Sequence, residues 1–216
     1  MACPFAVTKD GIESQFQTNH VGHFLFTNTL MPAIFKAGKG ARIVNVSSVA
    51  HEHAPKVGID FEALSKNDEK AMSNWARYGV SKLSNILFTH ELNKRFGDKG
   101  VYANALHPGF VRTELLRGPM GYGTFGAILS NISLILTYPF SIDAPRGALT
   151  SLYLATSPEV EKEEIKDQYY VPLAKPMPSH LSEQAKDLEL AAKLWDFTES
   201  LVQKALARGH VTPSAA

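Results

Sequence analysis

The sequence predicts an α/β fold, with a parallel sheet of about three strands and flanking helices. Three observations carry this reading. Ala41-Arg42-Ile43-Val44-Asn45-Val46-Ser47-Ser48 is a short β-branched run of the kind found in strands buried on both faces. A helix-periodic stretch with Trp75, Leu83, Ile86, Leu87, Leu92 and Phe96 on one side follows, and then a second apolar run, Val101-Tyr102-Ala103-Asn104-Ala105-Leu106. A strand, a helix and a strand in that order form a right-handed crossover, which makes the two strands parallel.

Asp10 with Glu13 forms a capping box, and Ile12, Phe16, Phe24, Leu25, Leu30 and Ile34 then recur at helical spacing. That helix should stop near Gly38-Lys39-Gly40. Residues 55–72 are polar and punctuated, with one turn of helix around Phe61-Glu62-Ala63-Leu64. Ser73 is placed to cap the central helix and Gly97 to end it. His107-Pro108-Gly109 breaks the second strand. From Gly118 to Ile142 no residue is charged, but Ser130, Asn131, Ser133, Thr137 and Pro139 interrupt the apolar run, which disfavours a membrane span. The segment reads as an apolar lid over a hydrophobic substrate, or as an edge that contacts a membrane surface. It contains a G-x-G-x-x-G from Gly121 to Gly126, which is set aside as a dinucleotide fingerprint because no strand directly precedes it. Asp143 caps a helix with Pro145 in its first turn that runs to about Thr156, and Gln168-Tyr169-Tyr170-Val171-Pro172 reads as a short third strand. An amphipathic helix is expected from about Ser179 to Arg208, followed by a disordered tail over 209–216.

The composition bounds the function classes. With 216 residues, 44% hydrophobic and 20% charged, the chain suits one globular domain over 1–208. A net charge of +1 points to no nucleic-acid surface. The single cysteine, Cys3, excludes an internal disulfide framework. Residues 1–16 carry no secretory signal, so a cytoplasmic location is expected, with membrane association through 118–142 as the variant.

The chemistry centres on Tyr78 and Lys82, four residues apart and therefore on one helical face. A phenol is a poor acid or base at neutral pH unless a fixed positive charge favours its ionised form. At roughly 5 Å and an effective dielectric of about 20, Lys82 would contribute on the order of 3 kcal/mol, lowering the Tyr78 pKa by about two units. Taken singly, the pair is equally a buried tyrosine beside a solvated lysine. Two further features carry polar groups that such chemistry would use. Asn19 and Gly22 sit inside a helix at some cost in stability, and Ser47-Ser48 end a strand where open α/β sheets bind ligands. His51-Glu52-His53 lacks a third ligand at a recognisable spacing and reads as turn residues, with no metal expected.

Asn19-His20-Val21-Gly22-His23-Phe24, Ile43-Val44-Asn45-Val46-Ser47-Ser48, Tyr78-Gly79-Val80-Ser81-Lys82 and His107-Pro108-Gly109-Phe110-Val111-Arg112-Thr113 stand in this order over about 95 residues. Together they resemble the short-chain dehydrogenase/reductase family, in its retinol-dehydrogenase-like branch that includes the WW-domain-containing oxidoreductases. The resemblance covers residues 1 to about 205. It implies a partial Rossmann fold, doubly wound around a parallel sheet and lacking its first strands. It also implies an NAD(P)-dependent oxidoreductase acting on a small apolar alcohol or carbonyl such as a retinoid, steroid or long-chain aldehyde. The family's catalytic tetrad falls on Asn19, Ser48, Tyr78 and Lys82. By resemblance, Tyr78 is the general acid or base, Ser48 holds the substrate oxygen, Lys82 bonds the nicotinamide ribose and lowers the Tyr78 pKa, and Asn19 supports a water reaching Lys82. Pro108, Gly109 and Thr113 would line the nicotinamide end of the cofactor, with NADP favoured over NAD.

The family's opening strand, glycine-rich turn, cofactor-selecting residue and Asn-Asn-Ala-Gly segment have no counterpart here, so 1–208 reads as the C-terminal part of such a domain. The expected structural consequence is an unpaired apolar edge on the strand Ile43 to Val46. Two functional classes therefore follow: an oxidoreductase catalytic half, and a non-catalytic protein that associates through its helices. Family members commonly dimerise through the helix bearing the Tyr-Lys pair, which implies a homodimer through residues 74–96.

Overall fold

In the computed structural model, the described residues are 1–112 and 141–209. Most of the expected apolar lid, Thr113, and the expected tail from residue 210 lie outside them. The first helix, α1, is composite: Ser14–Phe16, a π-helical turn Gln17–Val21, and Gly22–Ala37 run on without a break. Its cap is Glu13 and not the Asp10 box. The Glu13 carboxylate accepts from the backbone N–H groups of Gln15 and Phe16 at 3.1 and 2.8 Å, whereas Asp10 takes the Gln17 side-chain amide. Gly11 at φ +76° turns the chain between the two acids, so only Glu13 faces the helix. Gly38 at φ +82° ends α1 where the sequence predicts.

Strand β1 (Ala41–Val46) pairs in parallel with β2 (Val101–Leu106), from Ala41 opposite Val101 to Val46 opposite Leu106. Strand β3 (Tyr169–Val171) joins β2 in parallel, and a short β4 (Lys175–Pro176), not expected from sequence, returns antiparallel on β3. The order is β1-β2-β3-β4, so the fold is α/β with a mostly parallel sheet. Strand β2 is buried along its whole length. Strand β1 is not the fully buried strand that its composition predicts: Val46 is 42% exposed. Among the described residues β1 has a neighbour on one side only, whereas β2 has one on each.

The helices that flank the sheet are α2 (Phe61–Lys66), α3 (Asn74–Phe96), α4 (Ala144–Thr156), α5 (Pro158–Lys162) and α6 (Leu188–Ala207). Ser73 and Asp143 cap α3 and α4 as predicted, each side chain accepting a backbone N–H three residues on. Helix α6 starts later than Ser179 because the Asp187 carboxylate accepts from Leu190 N–H at 2.9 Å, while Pro178–His180 and Gln184–Lys186 form separate 3-10 turns. Helix α3 packs against β2, α6 and a 3-10 turn, Val49–His53. Leu83, Leu87 and Leu92 on α3 are completely buried, each worth about 1.5–3 kcal/mol of transfer from water. The rings of Phe24, Phe88 and Trp195 close this core, with centroids 4.8 to 5.7 Å apart. Among the described residues, no helix is long and apolar enough to cross a membrane.

Candidate active site

Strands β1 and β2 end side by side, and the chain leaving each one enters the site. The two serines after Val46 part company. Ser47 is buried, its Oγ donating to the Lys82 backbone carbonyl at 2.7 Å, which ties the strand to α3. Ser48 is extended, and its Oγ caps the turn Val49–His53 by accepting from Ala50 N–H at 3.1 Å. A cavity of about 230 Å3 at this end of the sheet is lined by Asn19, Ser48, Tyr78, Lys82, Pro108 and Gly109 together. Val46, Val49, Phe110 and Val111 supply apolar wall. Residues from α1, β1, α3 and the end of β2 thus meet at one place, and of the site residues read from sequence only Thr113 lies outside the described chain.

Gly79, beside Tyr78, permits this convergence. A Cβ there would lie 2.7 Å from both the Ala50 carbonyl oxygen and the Ala54 nitrogen. The turn that carries Ser48 therefore lies directly on the backbone of α3. On the other side of the cavity Asn19 sits in the π-helical turn, an irregularity common at functional sites. Its Nδ2 donates to Ser81 Oγ at 3.0 Å, and that hydroxyl donates to the Tyr78 carbonyl at 2.8 Å.

The electrostatics differ from the Tyr78–Lys82 spacing argument. The Tyr78 pKa is raised above its ordinary value; burial is the larger cause, and a hydrogen bond with the Ser48 side chain opposes it. Lys82 Nζ lies 5.7 Å from the centre of the Tyr78 ring and donates to the Val46 carbonyl at 3.1 Å. Burial lowers its own pKa to about 8. Here the cost of removing the two groups from water outweighs the attraction between their charged forms. The pair is a neutral phenol beside an ammonium within reach of titration.

Three contributors escape the sequence argument. Asn85 Nδ2 donates to the same Val46 carbonyl as Lys82, at 3.1 Å. Its spacing was a readable signal, since Tyr78, Lys82 and Asn85 stand at i, i+4 and i+7. His107 is held neutral by burial, its pKa lowered to about 4, and its Nδ1 accepts from Gly109 N–H at 3.1 Å. His51 is buried while Glu52 and His53 point outward, so the three residues diverge. Among the described residues no group of three or more His, Cys, Asp or Glu side chains is placed to hold a metal ion.

No model of a known protein family matches the chain. Individual proteins do. The chloroplastic short-chain dehydrogenase TIC 32 A of Brassica napus is 38% identical over 209 residues, covering 94% of this chain and 61% of that protein. The chain belongs to the short-chain dehydrogenase/reductase family. Human retinol dehydrogenase 14 is also 38% identical, over 93% of the chain and 55% of its own length, in keeping with the retinol-dehydrogenase-like resemblance. The crystal structure of an uncharacterized protein from Mycobacterium paratuberculosis superposes with a TM-score of 0.64 at 33% identity, over 94% of this chain and 63% of that one. The chain thus spans a little over half to three fifths of the length of these short-chain dehydrogenase/reductase relatives.

The family implies a nicotinamide dinucleotide, and the residues present fit one end of it. An ammonium has three donors, and Lys82 directs one to Val46, which leaves the others for hydroxyl groups in the cavity. Gly109 at φ +89° is pinned by Pro172, 2.7 Å from where a Cβ would sit, so the Pro108-Gly109 backbone forms a fixed wall. The fit covers the nicotinamide and its ribose only.

Proposed function

We propose that this chain carries the catalytic half of an NAD(P)-dependent oxidoreductase that interconverts an apolar alcohol and its aldehyde or ketone. The observation that supports it most is the convergence of Asn19, Ser48, Tyr78 and Lys82, from three separate stretches of the chain, on one cavity. Hydride chemistry would come from a nicotinamide dinucleotide, NADP in preference to NAD, held at its nicotinamide end by Lys82, Pro108 and Gly109. Ser48 Oγ bonds the substrate oxygen, and the Tyr78 hydroxyl gives a proton to that oxygen in reduction or takes one in oxidation. Lys82, still charged at neutral pH, holds ribose hydroxyls and stabilises the phenolate as it forms. The ground-state phenol is neutral because of burial, so the help from Lys82 is realised only as charge develops. Asn19 braces the Tyr78 turn of α3 through Ser81. The apolar wall of Val46, Val49, Phe110 and Val111 suits a hydrophobic substrate. The proposal gives Thr113 the nicotinamide end of the cofactor, and the uncharged segment 118–142 the cover over the substrate or a contact with a membrane surface.

The test is hydride transfer by the protein together with its cofactor-binding half. Tyr78→Phe should lower kcat by about 100-fold or more, the scale of general acid-base catalysis, with nucleotide affinity nearly unchanged. Equal turnover in the variant would sink the assignment.

A second reading, association without catalysis, is supported by a different observation. Among the described residues strand β1 has an open edge, and Phe26 on α1 and Leu149 and Leu152 on α4, the helices beside it, are exposed. For a homodimer this edge is better placed than the helix 74–96, whose middle is already buried by α6, β2 and the turn Val49–His53.

A further inference from the structure

We propose that His51 is a positioning residue for Ser48: its ring holds the Ser48 backbone so that the serine hydroxyl stays in reach of Tyr78. This rests on the reading of Ser48 and Tyr78 as the pair that meets the substrate oxygen. His51 is 1% exposed and is not among the residues that line the site cavity, so it has no contact with substrate to offer there. Its Nδ1 lies 2.8 Å from the Ser48 carbonyl oxygen, and its backbone N–H donates to the same oxygen at 3.0 Å. An acceptor there requires that Nδ1 carry a proton. The second nitrogen, Nε2, receives Ser182 N–H at 3.3 Å from the segment that precedes α6.

The ring therefore links Ser48, two residues past the end of β1, to a chain segment more than a hundred residues away. Burial lowers its pKa, with the Ser48 carbonyl, Glu52 and the His180 backbone opposing the shift, so the donor to Ser48 and the acceptor for Ser182 coexist at neutral pH. Tyr169 packs edge-on at 5.6 Å and fixes the ring plane. Among the described residues no other side chain bonds the Ser48 carbonyl. Its hydroxyl already accepts from Ala50, and the same hydroxyl reaches Tyr78, so a rotation of the Ser48 peptide would break the contact on which the Tyr78 proton depends.

Two conservative variants separate this role from mere packing. The Asn amide nitrogen occupies the place of Nδ1, and the Gln amide group occupies the place of Nε2. The probe is the ligand-free chain with isotope-labelled tyrosine Cζ, the Tyr78 resonance being assigned by its loss in Tyr78→Phe. His51→Asn keeps the donor to Ser48 and should leave the Tyr78 resonance in place. His51→Gln loses that donor and should move it, while Tyr102 and Tyr170, in a separate core cluster, stay fixed as controls. A Tyr78 resonance unmoved in both variants, or moved equally in both, overturns the proposal. This outcome is independent of turnover, so a failure of the catalytic reading, seen as an active Tyr78→Phe enzyme, is told apart from a failure of the His51 role.

Discussion

At the scale of the residue, Lys82 shows how burial revises a charge argument. Its pKa falls from 10.5 to about 8 because the folded chain withdraws the ammonium from water. Between those values the unfolded chain holds a proton that the folded chain has released, so stability rises with pH across that window. Below about 8 both states are protonated and the full penalty applies. Lys82→Met should therefore raise the urea midpoint at pH 7, since Asn85 continues to satisfy the Val46 carbonyl. The gain should shrink by pH 10, and a gain that is equal or larger there would contradict the burial argument. Turnover in the completed enzyme should be lost at either pH. The residue pattern Tyr78-x-x-x-Lys82 was legible in sequence. The sign of the phenol's shift was not, because it depends on how much water remains around both groups.

At the scale of the element, the close contact between α3 and the turn Val49–His53 decides whether Ser48 and Tyr78 meet. Gly79 is central to it, since a Cβ there would lie 2.7 to 2.9 Å from backbone atoms of Ala50, His53 and Ala54. Backbone cannot swing aside as a flexible side chain can. Gly79→Ala gains about 1 kcal/mol of helix propensity but forces the turn outward, and a net loss of about 1–3 kcal/mol is expected from the overpacking. Equilibrium denaturation measures it; a variant as stable as the parent would show that the contact is loose. The caps Ser73, Gly97 and Asp143 and the strands β1 to β3 were all legible, because caps and strand runs are local signals. The start of α6 was not, because Leu181 and the apolar period continue through two 3-10 turns before Asp187 offers a cap.

At the scale of the whole molecule, β1 is an edge of the sheet among the described residues, with Val46 exposed, and apolar Phe26, Leu149 and Leu152 are exposed on the helices beside it. An unpaired parallel edge flanked by apolar surface recruits another chain. The 216-residue chain by itself should therefore show a thermal transition that depends on protein concentration, with light scattering on heating. A cooperative transition that is independent of concentration would count against this. Supplying the remaining two fifths of the relatives' length in trans should suppress the scattering if that part covers the edge.

The sequence by itself determined the α/β class and the order of the elements, and its short motifs carried the family resemblance by which Asn19, Ser48, Tyr78, Lys82, Pro108 and Gly109 were named. Periodicity, caps and short motifs are all written in neighbouring residues. Only the tertiary structure decided that Ser47 ties the strand to α3 while Ser48 caps the turn Val49–His53, that Lys82 and Asn85 share the Val46 carbonyl, and that His51 turns inward to bond Ser48. It also decided the direction of the Tyr78 shift. Each of these depends on distances between segments far apart in the chain and on the water excluded between them, and no local pattern encodes either.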